Sequence, residues 1–253
     1  MPEPERIDRR RAALIAYDVC RRALTPSDPA RRAAMRPVLD AWVQMIAAAR
    51  GAGLPVIYTT PVSRADGADV VMVPTDLSAE TGVPPLTNAV EGTAEAGFPD
   101  DIAPRPGDYV FLKRRPSAFY GTGVAELLHM LRRDTIIIGG GATNRGVETS
   151  VREAFNLDLA SVVVRECCWS GDPAAHAYSL EGDENVRAHP QPRAGRRDVA
   201  GMSCRTLQRA AVGLSCRTAS GGKSHDHDRY ACPLAARRSR RRPPRCKSDP
   251  AIR

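Results

Sequence analysis

Apolar positions along the chain fall into short unbroken runs that alternate with stretches of helical spacing. "AALIAY" (Ala12 to Tyr17) is the first such run and stops at Asp18, as a buried strand does. From Pro37, "PVLDAWVQMIAAARGAG" places Val38, Leu39, Trp42, Val43, Ile46 and Ala47 on one helix face, with glycine closing it. "LPVIYTT" is a second strand, with proline on either side. Residues 63 to 107 are rich in Gly, Pro, Asp and Thr and predict a long excursion with one helical turn. A loop of that length in a compact domain is commonly functional. "GDYVFLK" is a third strand ending at Lys113, and "GVAELLHMLRR" an amphipathic helix. "DTIIIGG" is a fourth strand, "GVETSVREAFNLD" a helix with Val147, Val151 and Ala154 in line, and "ASVVVRECC" a fifth strand.

Short, continuous, apolar strands alternating with helices predict a parallel sheet covered on both faces, a three-layer α/β/α sandwich. In such sheets ligands bind beyond the carboxyl ends of the strands. Asp18, Lys113 and the turn "GGGATNRG" all lie there. An acid, a base and a backbone cradle thus point toward one crevice.

Charge divides the chain. From Arg187 onward there are 17 Lys/Arg and 4 Asp/Glu, against 20 and 25 before it. The net charge of +8 therefore comes from the tail, and the body offers no electrostatic reason to bind nucleic acid. We divide the chain into an N-terminal arm (1–10), a domain (11–181) and a basic, disordered tail (182–253). The tail lacks any sustained period and admits three readings. It is a nucleic-acid arm through "RRSRRRPPR", a metal binder through "HDHD", or text translated out of frame. It is expected to be dispensable for folding. No run of 18 apolar residues is present, so no membrane span is predicted. The first apolar run ends at Asp18 without a signal-peptide cleavage site. Seven cysteines without framework spacing fit a reducing, cytoplasmic setting.

The glycine turn is not a nucleotide loop. Counted from Gly139, the sixth position of a dinucleotide fingerprint is Asn144 rather than glycine, and no Gly-Lys-Ser/Thr follows. No cofactor is expected.

Three blocks, "ALIAYD", "VFLKRRPSAFYGT" and "IIIGGGATNRGVETSVREA", in this order resemble the isochorismatase-like or cysteine-hydrolase superfamily over about residues 10 to 181. The resemblance implies a hydrolase of small molecules that forms homo-oligomers. It also implies a triad of aspartate, lysine and cysteine. Aspartate and lysine match Asp18 and Lys113; the cysteine position is Gly146. Covalent catalysis needs a nucleophile, so the resemblance and the residue part company here. Isochorismatases proper are similar in lacking the thiol and cleave a vinyl ether by acid catalysis. Asp18 and Lys113 suit that chemistry, or hydrolysis of an amide, by proton transfer alone. The competing readings are a pseudoenzyme that keeps the pocket for binding or oligomerisation, and a basic-tailed nucleic-acid binder.

Each residue also has a plainer role. Asp18 caps a turn, or acts as acid or base. Lys113 is a surface cation, or orients substrate. Thr143 and Asn144 hold the turn or touch substrate, and Arg145 binds a carboxylate or is solvated. Phe119 and Tyr120 pack as core or wall the pocket. Backbone N–H groups of Arg145 and Gly146 suit an oxyanion hole, and glycine at 146 is expected to leave room for water or a bulky substrate group. Cys20, Cys167 and Cys168 are the other thiols of the domain, expected to be buried and inert. Some family members bind zinc through an Asp and two His in the region matching residues 61 to 71. "PVSRADGADVV" holds no histidine, so no metal is predicted.

Overall fold

The computed structural model describes residues 7–70 and 88–182. Expectations for the basic tail beyond residue 182, and for residues 71–87 of the long excursion, lie outside the described residues.

Strand β1 (Ala12–Tyr17) is buried throughout and coincides with the first apolar run. A single helical turn, α1 (Arg21–Leu24), leads to the long helix α2 (Pro29–Gly51). This helix starts eight residues before the predicted Pro37. Asp28 caps it by accepting from Arg31 N at 2.7 Å, and Pro29 occupies the first turn, where its missing N–H costs nothing. The first two turns are mostly solvent-exposed, so they carry no apolar period to reveal them. Pro37 sits inside the helix.

Strand β2 (Val56–Ser63) runs three residues past the predicted "LPVIYTT". The excursion that follows holds a two-residue strand, β3 (Ala89–Val90), and two short turns at Ala94–Ala96 and Asp100–Ile102. Next come β4 (Tyr109–Lys113), α3 (Val124–Met130) and β5 (Thr135–Gly140). After β5 a wide turn (Thr143–Val147) feeds α4 (Glu148–Asn156). Then follow β6 (Ala160–Val163) and the short α5 (Pro173–Ala177).

Every pairing between these strands is parallel. The order is β3-β2-β1-β5-β6, with β4 also on β2. β1 is thus central, and each of its residues from Ala12 to Tyr17 is matched across β5 from Thr135 to Gly140.

Side chains alternate across the sheet. Ala12, Leu14, Ala16, Tyr58 and Ile137 face α2, packing with Leu39, Trp42, Met45 and Ile46. Ala13, Ile15, Tyr17, Ile57, Ile136 and Ile138 face the other way, toward Val124 and Leu128 of α3 and Val151 and Ala154 of α4. Helices therefore flank the sheet on both faces, as expected. Two strands depart from the reading. β4 alternates: Val110 and Leu112 are exposed while Tyr109 and Phe111 pack inward, because β4 lies beyond the part of the sheet that α2 covers. β6 ends at Val163; Cys167 lies in a separate turn, Arg165–Cys167, with Cys168 just after it. There the carbonyl of Cys167 accepts from Trp42 Nε1 at 3.0 Å.

One ion pair anchors the segment leading into β4. Arg50, near the end of α2, meets Asp108 at 2.5 Å, and both are largely buried. Arg50 also donates to Ala103 O and to the hydroxyl of Tyr58, each at 3.1 Å. Removing one partner of a buried pair strands the other. Arg50→Met is therefore expected to cost about 3 kcal/mol and to lower the melting temperature by about 6 to 12 °C, read by circular dichroism. A fall within 1 °C of the parent would assign the pair no structural weight.

Candidate active site

Two strand ends carry the charged pair. Asp18 follows β1, and its N–H still donates to Thr59 O of β2 at 2.9 Å. Its φ is +56°, a left-handed conformation that aspartate and asparagine enter more readily than most residues. This bend ends the strand and aims the carboxylate over the sheet's carboxyl edge. Lys113 is the last residue of β4. Since β4 pairs with β2, and β2 with β1, both residues emerge at the same end. Lys113 Nζ lies 3.0 Å from Asp18 Oδ2, and Lys113 is 3% exposed. The ammonium also donates to Arg115 O at 3.3 Å. Asp18 Oδ1 is buried with no hydrogen-bond partner among the described residues.

Burial pushes the Asp18 carboxyl up to about 7, even though Lys113 and the nearby Tyr17 hydroxyl pull it down. Taking the charge out of water outweighs the attraction of the ammonium. A carboxyl near 7 is half ionised at neutral pH and can both take and return a proton.

The glycine turn is built around Tyr17. A Cβ on Gly140, whose φ is +144°, would fall 2.8 Å from Tyr17 Cβ and closer still to its carbonyl oxygen. A Cβ on Gly146 would overlap the hydroxyl end of Tyr17, 2.6 Å from Cε1 and nearer to Cζ and the hydroxyl oxygen. The expectation that Gly146 leaves room for water or substrate is overturned: the phenol of Tyr17 fills that space. Tyr17 is 1% exposed. Its hydroxyl donates to Pro116 O, and Lys113 Nζ sits 4.4 Å from its ring centroid, within cation–π range. Burial, and then the charge of Asp18, hold the phenol pKa well above its ordinary value. Sequence reasoning missed Tyr17 as a site residue. The one signal was a bulky aromatic at the end of a strand of small and aliphatic residues, immediately before Asp18.

The oxyanion-hole expectation also changes. The N–H groups of Arg145 and Gly146 donate to Ala142 O at 3.1 and 3.0 Å, so the turn has consumed its own donors. Thr143 is buried; its hydroxyl donates to Trp169 O at 2.9 Å and lies 2.9 Å from His176 Nδ1. Asn144 accepts from Ser170 Oγ at 2.8 Å. Both side chains thus tie the turn to the segment after β6. Arg145 is exposed. Phe119 packs in the core beside α3, whereas Tyr120 is 66% exposed.

The three domain cysteines are buried. Burial pushes the Cys20 thiol up, and that of Cys168 to about 12, which keeps both protonated and unreactive. Among the described residues no group of three or more His, Cys, Asp or Glu is placed to hold a metal ion. None of the helices among them is long and apolar enough to cross a membrane.

Comparison with known proteins agrees with the fold. A family model described as the isochorismatase domain matches residues 12–191. The chain is 30% identical over 175 residues to a maleamate amidohydrolase of Pseudomonas putida, covering 68% of this chain and 78% of that one. It is 28% identical over 175 residues to an N-carbamoylsarcosine amidase of Arthrobacter sp, covering 69% and 66%. Among solved structures, an isochorismatase family protein from Burkholderia thailandensis superposes with a TM-score of 0.64 at 23% identity, over 82% of this chain and 98% of that chain.

Proposed function

Because the chain belongs to the isochorismatase family, we propose that it is a small-molecule hydrolase that cleaves an amide by acid–base chemistry at Asp18 and Lys113, without a cysteine nucleophile. The observation that carries the proposal is the buried pair at 3.0 Å with the carboxyl near neutrality. Amidohydrolases among the relatives favour an amide over a vinyl ether as the bond cleaved.

In the proposed reaction the Asp18 carboxylate accepts a proton from water while the water oxygen bonds to the amide carbon. Lys113 offsets the negative charge that develops beside it. The C–N bond then breaks, and the proton held by Asp18 passes to the departing nitrogen. Atoms and charge balance with water as the only co-reactant.

The second reading, a binding module without turnover, is favoured by one observation: the space beside Gly146 is filled and its neighbouring N–H donors are engaged. A panel of small amides and vinyl ethers, assayed for release of amine or carbonyl product, separates the two. Turnover of at least one amide, lost on Asp18→Asn, is the expected result. No turnover across the panel, with ligand-dependent stabilisation of the fold, gives the second reading.

A further inference from the structure

We propose that Tyr17 is a positioning residue of the site: its ring holds the seat that a side chain at Gly146 would take, and there it braces Lys113 against Asp18.

The geometry makes positions 17 and 146 mutually exclusive. A Cβ added to Gly146 meets the hydroxyl oxygen of Tyr17 and two carbons of its rigid ring, Cζ and Cε1, which move only together. The ring cannot retreat easily. Its hydroxyl is tied to Pro116 O, its own backbone is clamped against Gly140, and the side chain lies in the cluster with Val147 and Val151. The phenol thus reaches the turn from β1, where any side chain on residue 146 would reach the same volume from the helix.

The seat borders the charged pair. Lys113 has three partners there: the Asp18 carboxylate at 3.0 Å, Arg115 O at 3.3 Å and the Tyr17 ring face at 4.4 Å. A lysine side chain has considerable rotamer freedom, and the ring face closes one direction in which this one could turn away. The phenol itself is no substitute nucleophile. Burial and the neighbouring carboxylate keep its proton on, and a neutral phenol is a far weaker nucleophile than a phenolate. Its work is steric and electrostatic.

This inference deepens the proposed hydrolysis and rests on it for its catalytic meaning, but its steric core is testable without turnover. Melting temperatures are compared in a four-member cycle: parent, Gly146→Ala, Tyr17→Val and the double variant. Overpacking predicts that Gly146→Ala lowers the melting temperature of the parent by about 5 to 10 °C and costs little once Tyr17 is Val. An equal penalty in both backgrounds overturns the seat.

The second arm introduces Cys at 146 with Tyr17→Val, and with Tyr17→Ala in case the first does not fold. Iodoacetamide labelling at pH 7 is expected to run about tenfold faster than at an ordinary exposed cysteine, with the excess abolished by Lys113→Met. A thiol of ordinary reactivity overturns the claim that the seat faces the pair. For the positioning role, Tyr17→Phe retains the ring and should keep kcat/KM within about threefold of the parent, whereas folded Tyr17→Val should lose about tenfold or more. Equal losses for Phe and Val overturn the role of the ring. If the parent turns over nothing while the cycle and the labelling come out as expected, the hydrolase reading falls and the seat stands.

Discussion

Asp18→Asn is expected to lower kcat/KM about 10²- to 10⁴-fold on any amide the parent hydrolyses, the usual size of a lost general base. Asparagine is the informative replacement. It enters the left-handed backbone conformation that Asp18 adopts at φ +56°, so the strand end survives, while the ability to take a proton and the negative charge facing Lys113 are removed together. The parent's pH profile carries the sign. A base must be ionised, so kcat/KM should rise with pH to a plateau, with its acid limb at the Asp18 value of about 7. Were Asp18 instead to donate a proton to a vinyl ether, activity would fall as pH rises through the same value. One profile therefore distinguishes the two bonds that acid–base chemistry at this pair could break. A parent profile flat from pH 5 to 9, with Asp18→Asn fully active, removes Asp18 from the chemistry.

The readable parts of the fold are those whose burial leaves a mark in composition. β1 and β5 are covered on both faces, so "AALIAY" and "TIIIGG" are unbroken apolar runs. The parallel sheet then follows from their alternation with helices, and with it the meeting of Asp18 and Lys113, since parallel strands end on one side. The start of α2 was hidden because Pro29 to Arg36 cover little of the core. Its signal was local, in the Asp-Pro cap, and a proline at 37 looked like a beginning. β4 gave an apolar run that is in fact half exposed, because apolarity alone does not say which face a helix will cover.

The glycine turn shows a different limit. Gly146 was legible as an absence, a residue with no side chain where the resemblance expects one. What fills the absence was not, because Tyr17 reaches that point only after β1 and β5 pair. Two residues far apart in sequence share one volume, and no local pattern records such an exchange. The same holds for the donors of Arg145 and Gly146. A helix start suggests free N–H groups, but the wide turn folds them back onto Ala142 O.

Lys113→Met should abolish most activity at neutral pH and return part of it in alkali. The ammonium is the strongest influence holding the Asp18 carboxyl down against burial. Removing a nearby opposite charge raises a carboxyl pKa by about 1 to 3 units, so the ionised fraction of Asp18 at pH 7, about a half in the parent, falls about 5- to 500-fold. Methionine suits the test, since its unbranched apolar chain fits the buried path of the lysine stem. A protonated Asp18 beside it is neutral, so no bare charge is left buried, and the fold should hold. The acid limb of kcat/KM should then move upward from about 7 by the same 1 to 3 units. Activity at the new plateau should remain below the parent's, because the developing charge on the substrate has lost its cation. The two variants thus fail differently: Asp18→Asn stays inactive at every pH, whereas Lys113→Met recovers as its base ionises. An acid limb still at about 7 in Lys113→Met, measured on protein of unchanged circular dichroism, would mean that the ammonium does not set the ionisation of Asp18, and that the two residues do not act as a pair.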